Sequence, residues 1–175
     1  MPTNWRISSF NGVLLAAYFI PTWTIVAFKI MVSPVHAFYE RPNIAVALFI
    51  SDHLHLAAMP TIRAAWLLAL GKLTVVAFFA VFVILLTRAS IRKTGGSDEA
   101  LAMALAIGSV ISFASMLMAS QVAEPEALKL HATELLMLLG TAIVLLLERP
   151  VQPQINRGTT PDDLSFQQAQ LLNNG

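Results

Sequence analysis

Residues 61–88 read TIRAAWLLALGKLTVVAFFAVFVILLTR, and Lys72 is the only charge between Arg63 and Arg88. As a helix rising 1.5 Å per residue this stretch reaches about 42 Å. The hydrocarbon core of a bilayer is about 30 Å thick, and about 20 predominantly apolar residues cross it. A single run can satisfy its backbone polar groups inside lipid only as a helix. The stretch therefore reads as a membrane span. Three further runs, 10–32, 101–122 and 127–147, have the same character. Together they predict an all-α integral membrane protein: a four-transmembrane-helix bundle within residues 1–150, followed by a polar tail, 151–175.

Composition points the same way. Of 175 residues, 57% are hydrophobic and 12% charged, against about 25% charged in a soluble domain. A surface facing lipid accounts for the deficit. The net charge of +1 carries no nucleic-acid footprint. Cysteine is absent, which excludes disulfides, thiolate metal sites and cysteine nucleophiles. The first run follows Arg6 and precedes Val35-His36-Ala37, a tripeptide resembling a signal-peptidase site. The run exceeds the 7–15 residues of a signal h-region, so it is expected to remain as the first helix. Pro21 lies in its middle and Lys29 near its far end, where a lysine can snorkel to the interface.

Between the first two long runs, residues 33–42 hold two prolines and read as a loop. Residues 44–59 are apolar except for Ser51, Asp52, His53 and His55. Sixteen helical residues reach about 24 Å, short for a span. The distribution of Lys and Arg favours a fifth crossing here, whereas Asp52, His53, His55 and the shortness of the segment favour four. The reading adopted is a short interfacial or re-entrant helix, 44–59, between the first and second spans.

Arg88, Arg92 and Lys93 form a short basic loop, which the positive-inside rule assigns to the cytoplasm together with the C-terminus. The expected location is a bacterial inner membrane. Ser97-Asp98-Glu99 opens the third long helix with a capping residue and acids in the first turn. In the cytoplasmic tail, Thr160-Pro161-Asp162-Asp163 announces a short helix with Leu164, Leu171 and Leu172 as its apolar stripe.

Ionisable residues inside a membrane are the first functional candidates. Lys72 lies about 22 Å of helix before Thr87, and Glu134 about 21 Å before Glu148. At matched depth they are expected to form an intramembrane ion pair. His131 shares a helix face with Glu134 at i, i+3. A carboxylate beside an imidazole can orient a ring that ligates a metal or haem. His131 with His36, His53 or His55 could supply the two axial ligands of haem or of another tetrapyrrole. Asp52, His55, His131 and Glu134 are the candidate metal ligands. On the third long helix, Ala104, Gly108, Ser112, Ser115 and Ala119 form a stripe of small residues suited to close helix packing.

No phosphate-cradling loop, HExxH, nucleophile elbow or inverted repeat is present. The leading expectation is a non-catalytic accessory or scaffold subunit of a larger membrane complex, with a respiratory or photosynthetic electron-transfer assembly favoured. Its partners would be the lipid bilayer and other membrane subunits. The first alternative is a haem- or metal-binding membrane protein using the outer-side histidines. The second is a small transporter or channel using Lys72 and Glu134.

Overall fold

The computed structural model describes residues 7–54, 57–88 and 96–148. They form helices and connecting turns, with no strand among the described residues. The four long helices are α1 (Ile7–Val32), α4 (Ala58–Thr87), α5 (Gly96–Gln121) and α6 (Pro125–Glu148). Each is long and apolar enough to cross a bilayer. Two short helices, α2 (Pro34–Phe38) and α3 (Ile44–Phe49), lie between α1 and α4, and α3 runs on into a π-helical turn, Ile50–Leu54. The chain has the fold of an integral membrane protein with four spans.

The long helices run up, down, up and down. Each packs most extensively on its sequence neighbour, while α1 and α6 close the bundle more loosely. The start of α1 and the end of α6 are joined directly. Glu148 accepts hydrogen bonds from the backbone N–H of Ile7 (2.8 Å) and Ser8 (3.1 Å), and from the Ser8 hydroxyl. The first N–H groups of a helix have no partner within it, and that end carries partial positive charge. A carboxylate from α6 thus does for α1 what a local N-cap would do.

The observed ends differ from the expected ones in an orderly way. The spans begin earlier because polar residues at an interface continue a helix already committed by its apolar run. Pro60 directly follows the expected short helix, 44–59, where a proline would end it. It lies instead in the first turn of α4, where a missing N–H removes no intrahelical bond. The short helix stops at Leu54 rather than at residue 59, and part of the expected loop winds into α2. Pro21 is exposed, and α1 passes through it without interruption. Lys29 meets Glu40 at 2.8 Å on the surface. The tail, including its expected short helix, and His55 lie outside the described residues.

Two apolar layers fill the interior. One is built on Phe19, Phe79, Phe82, Leu101, Leu105 and Leu138. At the other end, α2 and α3 cover Val26, Ala27, Ile30, Ala65 and Ala69 through Ala37, Phe38 and Val46. There Ala45 of α3 meets Ala119 and Ala127, so three alanines let α3 sit against the α5–α6 turn. The small-residue stripe of α5 is buried along its length. A Cβ added to Gly108 would lie 3.3 Å from Leu138 and 3.6 Å from Val75, so α5 is held between α4 and α6 of the same chain. Such close approach gives dispersion contacts where apolar burial gives no drive in lipid.

Candidate functional site

Between the two apolar layers the four spans meet in a polar cluster. Trp23 of α1, Ser112 of α5 and Glu134 of α6 each stand nine residues from the same end of the bundle, counted from Val32, Gln121 and Pro125. Nine residues are about 13–14 Å of helix, close to the middle of a bilayer core. Lys72 of α4 joins them at that level. Asn43, directly before α3, reaches the cluster from the capped end.

Lys72 is 3% exposed, Glu134 4%, His131 3% and Asn43 1%. The Lys72 ammonium donates to Asn43 Oδ1 at 2.7 Å and lies 5.7 Å from the centre of the Trp23 ring. Asn43 Nδ2 donates to the Ala37 carbonyl at 3.2 Å, which fixes the amide for its contact with Lys72. Glu134 Oε1 accepts from Trp23 Nε1 at 3.2 Å. Glu134 Oε2 faces His131 Nδ1 at 3.0 Å and the Ser112 hydroxyl at a longer 3.5 Å. An ionised carboxylate only accepts hydrogen bonds, so with Glu134 charged the His131 proton resides on Nδ1. In the neutral ring His131 Nε2 then carries a lone pair, and this nitrogen is buried without a hydrogen-bond partner.

The expected direct pair of Lys72 and Glu134 takes another form. No ion pair of 4.0 Å or less joins them; both engage Trp23, Lys72 over its ring and Glu134 at its N–H. The indole has a negative face and a positive edge. It therefore accepts the cation on one side and presents a donor to the anion on the other. Sequence reasoning missed Trp23 and Asn43. The usable signal was an indole in mid-span, whose N–H needs a partner when buried. It also took Ser112 only as a packing residue.

The other candidates do not converge on His131. His36 and His53 are exposed, and the His53 ring stacks on Phe49 at 4.8 Å within the π-helical turn. Asp52 is exposed beside it. Among the described residues, no three His, Asp or Glu side chains gather where a metal ion could be held.

Grooves open at the outer surface of the bundle. One of about 680 Å³ follows α4 beside the end of α1, one of about 520 Å³ lies between α1 and α6, and one of about 250 Å³ between α5 and α6. None is lined by Trp23, Asn43, Lys72, Ser112, His131 or Glu134. Fold and site together define a four-span helical membrane protein with a buried cluster of charged and polar side chains at its centre. The chain matches no family model, no curated protein and no solved structure.

Proposed function

We propose that this protein is a non-catalytic accessory or scaffold subunit of a larger membrane complex. The burial of its polar interior, with Lys72 3%, Glu134 4% and Asn43 1% exposed, carries the reading. Lys72, Asn43, Trp23 and Glu134 meet one another's polar atoms inside the bundle, and the three surface grooves do not reach them. A reaction or a transport path needs an entry for its substrate. A cluster that ties four helices together needs none, and it leaves the apolar outer faces for neighbouring helices and lipid. Tagged protein extracted from its native membrane in mild detergent should run as a discrete assembly with a stoichiometric partner. A monomer with no partner would remove the proposal. An electron-transfer assembly is the first kind to examine, because it would also supply a tetrapyrrole or metal to a free imidazole.

One observation favours a second reading. His131 gives one ring nitrogen to a carboxylate and keeps the other free, the arrangement in which histidine ligates metals. The reading requires an absorption band of haem or of a bound metal in the purified complex, lost in His131→Ala and retained in His36→Ala. A colourless, metal-free complex would eliminate it.

A further inference from the structure

The groove along α4 carries chemistry beyond the buried cluster. Its walls include Ile62, Trp66, Leu70 and Leu73 of α4 with Met31 of α1, and among the described residues Arg63 is the one charged residue lining it. Arg63 is exposed and has no ion-pair partner among the described residues. It stands nine residues before Lys72, the same count that separates Trp23, Ser112 and Glu134 from their helix ends. Its guanidinium is therefore level with the ends of the other spans, at headgroup depth, although α4 itself continues beyond it. From Arg63 to Leu73 the groove follows about 15 Å of helix, the thickness of one leaflet of the hydrocarbon core. Trp66 lies one turn inside Arg63, where an aromatic belt residue sits.

We propose that this groove is a binding site for one anionic phospholipid, with an acyl chain along Trp66, Leu70 and Leu73 and the headgroup phosphate on Arg63. Charge complementarity selects the occupant. A neighbouring apolar helix would leave the guanidinium unpaired at the groove's polar end, whereas the phosphate of an anionic lipid, with no headgroup cation to compete for it, accepts from Arg63 in a charge-assisted, bidentate contact. The site is separate from the polar cluster and does not rest on the subunit reading.

The test uses the full chain in nanodiscs holding equal amounts of phosphatidylglycerol and phosphatidylcholine with identical acyl chains, followed by native mass spectrometry of the retained lipid. Both lipids present a phosphate, but the choline cation of phosphatidylcholine offsets it beside Arg63, so wild-type protein should retain one phosphatidylglycerol with about tenfold preference, about 1.4 kcal/mol. Arg63→Gln should abolish the preference. Leu70→Trp, which fills the groove, should lower retention of both lipids. Arg41→Gln removes an exposed guanidinium at the same end of the bundle but outside the groove, and it should change nothing. Equal retention of the two lipids by wild-type protein would overturn the proposal. So would an unchanged Arg63→Gln, or an equal loss in Arg41→Gln. A protein helix cross-linking to position 70 in place of lipid would overturn it too.

Discussion

Trp23 is the side chain on which the centre of this molecule turns, because one indole answers a cation and an anion at once. Trp23→Phe keeps the ring under Lys72 but removes the donor to Glu134. Unfolding measured by SDS titration in mixed micelles should show a loss of about 1.5–3 kcal/mol, the range for a hydrogen bond to a charged group. Glu134→Gln alone leaves Lys72 as an uncompensated buried cation and should cost about 3–5 kcal/mol. Lys72→Met together with Glu134→Gln should cost clearly less than the two single changes added together. Strict additivity would show that the two charges do not sense each other through Trp23. Lys72, His131 and Glu134 were legible in the sequence, since charges in an apolar run stand out and i, i+3 spacing puts two of them on one face. Their partners were not. Asn43 and Trp23 lie far from Lys72 and Glu134 along the chain, and nothing local in a sequence says which face of one helix meets another.

At the scale of elements, the turns and the closest helix contacts carry the constraints. Ala123, between α5 and α6, has φ of 54°, the left-handed region that glycine adopts without a Cβ penalty. Glu124 N–H donates to the Ala119 carbonyl at 3.1 Å, the long-reach bond of a Schellman ending. Ala123→Gly should therefore stabilise the turn by about 0.5–1 kcal/mol, read as a raised unfolding midpoint in detergent. A lowered midpoint would mean that the strain at this residue is compensated elsewhere. Gly12 of α1 is a different case. A Cβ there would stand 2.8 Å from the fully buried Phe82 ring and 3.0 Å from Leu101, so α1 approaches α4 and α5 closely. The long helices were readable from their apolar runs. The ends were less so, because polar flanks continue a helix past the lipid boundary. The π-helical turn, which stacks His53 on Phe49, left no sequence signal.

For the whole molecule, both described ends of the chain lie at one end of the bundle, held by Glu148 on the start of α1, and α2 and α3 cover the other. Arg88 follows α4 at the Glu148 end, and we propose from the positive-inside rule that this end is cytoplasmic and that α2 faces the other side. The chain has no cysteine, so a single one can report the side. Val35→Cys, at an exposed position, should react with a membrane-impermeant maleimide in intact cells or spheroplasts; labelling only after lysis would reverse the orientation. The sequence by itself determined that this is a helical membrane protein with four spans and a short helix between the first two. Backbone hydrogen bonds inside lipid must be made within each run, and run length can be counted along one chain. Only the tertiary structure decided what each buried charge meets, and that Lys72 and Glu134 meet through an indole. Those contacts depend on the rotation of four helices about their axes, which is set by small residues on α5 and close approach at Gly12 and Gly108, and no single run encodes it.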